Sequence, residues 1–179
     1  MPATSPYFEL RKSDIQGRGA FALRTIRAGT RIVEYVGEQI DQDEADRRYD
    51  DAHMKRHHTF LFSLDSGMVI DAAVGGNDSR FINHSCDPNC QAIEDKGRIF
   101  IEALRTIRPD EELLYDYAYE RTSSTTKEDE ELYKCRCGAP NCRGTILAPP
   151  KKVKAKKKTT AKKGSKKTKT KTKAKAKRR

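Results

Sequence analysis

Three cysteines within eight residues, in Cys135-Arg136-Cys137-Gly138-Ala139-Pro140-Asn141-Cys142, constrain this chain more than any apolar run does. Their C-x-C-x4-C spacing lies in a Gly/Pro/Asn-rich knuckle that can wrap an ion. Thiolates suit zinc, which takes four ligands in a closed structural site. Three local thiols leave one place, for Cys86 or Cys90. Either choice pins the end of the folded region onto mid-chain and couples folding of that last segment to the metal. Disulfides need an oxidising compartment. No apolar run approaches a membrane span, and Met1-Pro2-Ala3-Thr4-Ser5-Pro6 lacks the basic and then apolar regions of a secretory signal. The default is an intracellular protein with reduced thiols.

The mid-chain cysteines sit in Arg80-Phe81-Ile82-Asn83-His84-Ser85-Cys86-Asp87-Pro88-Asn89-Cys90. An amide, an imidazole and a thiol share this stretch. Pro88 pushes its predecessor toward extended geometry, and Asn and Asp favour turns by bonding their own backbone. Asn83 to Asn89 therefore reads as an ordered loop, and loops carrying such groups are usually working loops. The plain alternative is a polar connection holding one buried cysteine. Two distant stretches tilt against it: the cysteine knuckle, and Glu111-Glu112-Leu113-Leu114-Tyr115-Asp116-Tyr117.

Charge divides the chain in two. Lys and Arg number 37 and Asp and Glu 26, but residues 151–179 hold 17 of the bases and no acid, leaving −6 on residues 1–150. An acidic body draws cationic ligands, and a basic arm seeks polyanions. From Lys151 on, the sequence is almost only Lys, Thr, Ala, Gly and Ser, which cannot bury a core and predicts a disordered tail. With no aromatic in it, that tail is expected to bind nucleic acid through charge, without base stacking or sequence choice.

Between Tyr7 and Asp116 the pattern predicts many short strands and few helices. Tyr7 to Lys12, Ala20 to Leu23 and Arg31 to Val36 read as strands, and Asp14-Ile15-Gln16-Gly17-Arg18-Gly19 as a glycine turn. Asp41-Gln42-Asp43-Glu44 has capping-box form and opens a polar helix through about His53. Hairpins are expected across Asp65-Ser66-Gly67 and Asp95-Lys96-Gly97, and a last strand over Glu112 to Asp116. Glu120 to Glu131 holds no apolar residue and reads as a flexible connection. His53, His57 and His58 show no ligand spacing and read as solvated. The domain expectation is 1–118 for the main fold, 119–134 for the connection, 135–147 for the zinc motif and 148–179 for the tail.

Taken in order, Gly17-Arg18-Gly19, Glu34-Tyr35-Val36-Gly37-Glu38, the Arg80 to Cys86 stretch, Glu112-Leu113-Leu114-Tyr115-Asp116-Tyr117 and the terminal C-x-C-x4-C resemble SET-domain protein-lysine methyltransferases that carry a post-SET zinc motif. The resemblance runs from about residue 7 to 147, and no cysteine-rich pre-SET segment stands before it. It implies a mainly β fold of several small curved sheets around a pseudoknot, with the segment ending at Tyr117 threaded beneath the Asn83 to Cys86 loop. The substrate platform would then come from the helix opening at Asp41 and its flanks. The implied cofactors are S-adenosylmethionine and zinc. Gln16, Gly17, Arg18, Phe60, Asn83, His84 and Arg136 would hold the former. Cys86, Cys135, Cys137 and Cys142 would hold the latter, leaving Cys90 as a plain buried residue.

A sulfonium methyl is already activated, so such an enzyme need only align a neutral amine with it. A lysine with a pKa near 10.4 must first lose its proton, and an apolar channel helps by disfavouring the ammonium. A tyrosine hydroxyl can orient the lone pair, a role that falls to Tyr117. Tyr115 stands at the family's Phe/Tyr switch, which implies mono- or dimethylation. Phe60 departs from the pattern, standing where many relatives have a tyrosine. The expectation is a histone-lysine-type methyltransferase on chromatin-type protein, in a nucleus, a bacterial nucleoid or a host cell, held on DNA by its tail. The alternatives are an architectural DNA-binding protein with a silent SET fold, and an enzyme that methylates its own tail.

Overall fold

The computed structural model describes residues 5–49, 59–121 and 125–150. Here ten short strands form three small sheets, accompanied by two short α-helices and a 3-10 helix over Asp78–Phe81. Strand β1 (Phe8–Lys12) pairs antiparallel with β2 (Arg18–Ala22). Gly17 takes φ +42 in the turn between them, a left-handed conformation that costs glycine little.

The central sheet is built on β9 (Arg98–Ala103), whose alternate residues Ile99, Ile101 and Ala103 are buried while the residues between them are more open. It pairs on one side with β3 (Arg31–Tyr35) and on the other with β8 (Cys90–Asp95). Lys96 and Gly97 both have positive φ in the β8–β9 hairpin, which matches the twist of the strands they join. The sheet continues through β10 (Leu114–Tyr115) to β7 (Asn83–His84), in the order β3-β9-β8-β10-β7. A third sheet sets β6 (Val69–Asp71) between β4 (Glu38–Ile40) and β5 (Leu61–Ser63).

The decisive feature is where β10 lies. β7 and β8 are successive in the chain, yet β10 is inserted between them and runs parallel to both. Asn89 fastens the crossing: its Oδ1 accepts from the Leu114 N–H at 2.8 Å and its Nδ2 donates to Glu112 O at 2.7 Å. Ser85 N–H donates to Tyr115 O at 3.1 Å on the far side. The fold is mainly β, as expected, and a segment is threaded through a loop. Ile26, Ile82, Ile101, Ile107 and Leu113 fill the core beneath it. Cys90 is buried among them, and burial pushes its thiol up to about 12. That suits a plain core residue.

Three expectations need correction. Asn83 and His84 are not loop but a strand, because β10 supplies backbone partners that local sequence cannot reveal. The last strand is only Leu114–Tyr115. The connection expected to be flexible contains helix α2 (Lys127–Leu132), opened by a full capping box between Thr126 and Asp129. Helix α1 (Gln42–Arg48) begins as predicted, with Asp41 accepting from Glu44 N–H; its predicted extension through His53 lies outside the described residues. So do His53, His57, His58 and the tail from Lys151 on. Among the described residues no helix is long and apolar enough to cross a membrane.

Candidate active site

The crossing brings the loop motif, the glycine turn and the C-terminal segment around one cavity of about 310 Å³. All seven residues expected to hold the methyl donor line it: Gln16, Gly17 and Arg18 from the turn, Phe60 before β5, Asn83 and His84 from β7, and Arg136 from the knuckle. Asn83 Nδ2 donates to Arg18 O at 3.0 Å and to Glu112 Oε1 at 2.9 Å. Glu112 Oε2 in turn accepts from Ser13 Oγ at 3.1 Å. The turn is thereby held against β7. Gly19 is obligatory to this contact, since a Cβ there would stand 2.1 Å from Glu112 Oε1.

His84 is buried and burial lowers its pKa to about 4, so the ring is neutral. Its Nδ1 accepts from Tyr117 N–H at 3.1 Å, which leaves the proton on Nε2, 3.4 Å from Cys86 Sγ. One imidazole therefore joins the tyrosine segment to the cysteine cluster.

Cys86, Cys135, Cys137 and Cys142 have all four Sγ atoms within 4.8 Å of one another. Cys86 Sγ lies 3.8 Å from that of Cys135 and 3.9 Å from that of Cys142. Thiolates at ~2.3 Å from a tetrahedral zinc stand about 3.8 Å apart, so the donor set fits the ion. Backbone N–H groups of Cys86, Cys137 and Gly144 donate to sulfurs of the cluster at 3.4–3.5 Å, the outer support such a centre needs. Burial pushes the Cys137 thiol up, but N–H donors from Cys86 and Ala139 and the neighbouring thiols outweigh it and bring it to about 6. Arg143, just beyond the knuckle, grips Asp116 with two hydrogen bonds of 2.8 and 2.6 Å. That anchors the cluster directly to the Tyr115-Asp116-Tyr117 segment.

Tyr117 donates its hydroxyl to Ile82 O at 3.0 Å. Burial pushes both its phenol and that of Tyr115 well above the usual value, so neither serves as a base. Behind Tyr117 opens a second cavity of about 420 Å³, bounded by α1 residues Gln42, Ala45 and Asp46, by β5, and by Tyr115, Tyr119, Glu120 and Tyr133. The two cavities share Thr59, Tyr117 and Tyr119. Ring centroids run 4.8 Å from Tyr115 to Tyr117, 6.0 Å on to Tyr119 and 5.6 Å on to Tyr133. An aromatic wall thus continues from one cavity into the other.

Sequence reasoning missed Tyr119, whose signal was present in the period-two spacing Tyr115, Tyr117, Tyr119. It also missed Arg80, quoted in the loop motif without a role. Arg80 lines the first cavity, stacks over Phe60 and Phe81, and its Nε is the one buried side-chain nitrogen or oxygen without a hydrogen-bond partner among the described residues. Arg18 likewise lies 4.0 Å over the Phe81 ring. Lys134 and Leu132 line the same cavity from the segment mistaken for a flexible connection.

Residues 17–118 match the SET domain family. A Saccharomyces cerevisiae histone-lysine N-methyltransferase, H3 lysine-4 specific, is 46% identical over 141 residues, which are 75% of this chain and 13% of that protein. The Candida albicans protein of the same description is 44% identical over 141 residues, with the same two shares. The Drosophila melanogaster histone-lysine N-methyltransferase trr is 39% identical over 138 residues, 75% of this chain and 6% of that protein. The chain thus spans only a small fraction of the length of the relatives it matches.

Proposed function

Because the chain belongs to the SET domain family, we propose that it is an S-adenosylmethionine-dependent protein-lysine N-methyltransferase acting on histone or a similarly basic chromatin protein. One observation carries the reading: a cavity suited to a methyl donor and a second, acidic cavity abut at Tyr117. When bound, S-adenosylmethionine supplies a methyl group already activated on sulfur. Asn83 and His84, held by the glycine turn and by Tyr117 N–H, position the donor. The cations Arg18, Arg80, Lys134 and Arg136 suit a carboxylate.

The target amine approaches from the other side. Tyr115, Tyr117 and Tyr119 enclose it in aromatic faces, which exclude water, favour its neutral form and tolerate positive charge on the methyl group. Tyr117, a permanent hydroxyl, orients the lone pair. Tyr115 narrows the channel, which favours mono- and dimethyl products. Cys86, Cys135, Cys137 and Cys142 would hold zinc, which would fix in place the segment that brings Lys134 and Arg136 to the donor cavity. The basic segment 151–179 adds non-specific affinity for nucleic acid and keeps the enzyme on chromatin.

The test is mass spectrometry of core histones after incubation with the full chain and S-adenosylmethionine. Methyl groups on defined lysines, lost with Tyr117→Phe, are expected; unmodified histones with folded, zinc-loaded protein would remove the proposal.

A further inference from the structure

We propose that the acidic cavity is also a docking site for the chain's own residues 151–179, and that lysines of this segment are methylated within the same molecule. The inference rests on that cavity being the amine-binding side, and three independent observations support it.

The first is where the described chain ends. Ala148 N–H donates to Tyr119 O at 2.8 Å, Tyr119 N–H to Ile146 O at 3.3 Å, and Arg121 Nε to Ala148 O at 3.2 Å. The final residues are therefore paired edge to edge with the segment that carries the cavity wall. Tyr119 stands two positions from Tyr117, at most about 7 Å of chain. The second is charge. Asp46 and Glu120 are exposed at the cavity, and no basic side chain lines it among the described residues. The segment that leaves beside it has 17 bases and no acid.

The third is length. Residues 151–179 supply up to about 3.3–3.6 Å each, so a lysine ten residues on can double back to a site whose wall lies at the exit. Pro149 and Pro150 fix φ and lack N–H groups, which opposes reversal at Lys151 and Lys152. Lysines from Lys156 onward are the reachable ones. A tether of this kind places them at an effective concentration in the millimolar range.

In the step itself the lone pair of a deprotonated lysine Nζ forms a bond to the methyl carbon of the S-methyl sulfonium donor. The carbon–sulfur bond breaks with its pair passing to sulfur, which leaves as a neutral thioether. The methylammonium product keeps the positive charge.

Two measurements on the full chain test this. Carbodiimide coupling without any methyl donor should join Asp46 or Glu120 to lysines between Lys156 and Lys177 within single chains, and the links should vanish in the Asp46→Asn/Glu120→Gln variant. Links of equal yield from Asp14 or Asp110, on other parts of the surface, would overturn the docking. Incubation with S-adenosylmethionine and an added lysine-rich peptide should place methyl groups on the segment at a rate per molecule unchanged by about a hundredfold dilution. A methylated peptide beside an unmodified segment, or a rate that falls with dilution, refutes this inference and leaves the proposed function standing. No methylation of the segment, the peptide or core histones refutes both.

Discussion

The two cavities that meet at Tyr117 are opposite in charge and in construction. The donor side is lined by Arg18, Arg80, Lys134 and Arg136 and by no carboxylate, whereas the amine side presents Asp46 and Glu120 and no base among the described residues. The donor side draws on the whole chain, from the turn at Gly17 to Ile146, and borrows Leu132, Lys134, Arg136 and Ile146 from the C-terminal segment. The amine side takes only Tyr133 from that segment. The contrast predicts that loss of a metal from the cysteine cluster costs the first cavity more than the second. Thr59, Tyr117 and Tyr119, shared by both cavities, are the partition between a basic lining and an acidic one.

The strongest way to break this comparison is to remove the metal. Zinc sites of this type contribute ~10–16 kcal/mol of apparent binding energy to the segment they fold. Chelation, or Cys86→Ser, should therefore abolish measurable methyl-donor binding by calorimetry while metal analysis shows the zinc gone. A lysine peptide should lose less affinity for the acidic cavity than the donor loses for its own, since α1 and β5 stand apart from the knuckle, although the tyrosine segment is tied to it through Arg143 and Ile146. Equal losses at both sites would mean that the cavities are one unit.

Tyr117 is the partition itself, so removing its hydroxyl should affect the transfer step and neither binding event. Tyr117→Phe loses the bond to Ile82 O, with stability reduced by about 1 kcal/mol. The single-turnover rate should fall about 10²-fold, as for other preorganised hydroxyl or amide donors. Donor and peptide dissociation constants should move less than threefold. A tenfold weaker donor affinity would assign the hydroxyl to the donor side instead.

The pH profile sharpens the same point. Below 10.4 the neutral fraction of a lysine amine grows tenfold per pH unit, so log rate should climb with a slope near one from pH 7 to 9. Burial raises the Tyr117 and Tyr115 phenols. Their folded-state values lie above that window, so both remain protonated throughout and contribute no falling limb. A bell-shaped profile centred below pH 9 would mean that a side chain of ordinary pKa acts as an acid in the step.

Much of the donor side was readable in the sequence because its chemistry is carried by side-chain identity. An Asn-His pair, a Gly-x-Gly turn and a four-thiol set look alike in any context. The amine side was harder. Its wall depends on β10 being inserted between β7 and β8, a pairing of residues some thirty apart that no local pattern encodes. The same non-local pairing turned Asn83 and His84 into strand. Helix α2 escaped notice because its stretch is polar, although Thr126-x-x-Asp129 held the cap signal; Leu132 and Lys134 at its end line a cavity it was not expected to touch. The Arg143–Asp116 clamp joins residues 27 apart that either could have satisfied with water.

The smallest expected effect comes from Phe60. Phe60 lines the donor cavity but not the acidic one, its ring edge-on to Phe81 at 5.8 Å with the Arg80 guanidinium 5.5 Å from its centroid. Phe60→Tyr adds one hydroxyl to that ring. Placed in the cavity, it needs a partner, and one hydrogen bond made or missed there is worth a net ~0.5–1.5 kcal/mol. Donor affinity should therefore change by less than about tenfold, in either direction according to whether the ligand supplies the partner, while peptide affinity stays constant. If the variant instead weakens peptide binding and leaves the donor untouched, the ring belongs to the partition beside Tyr117, and the boundary between the two cavities lies one residue nearer the glycine turn than the present structure draws it.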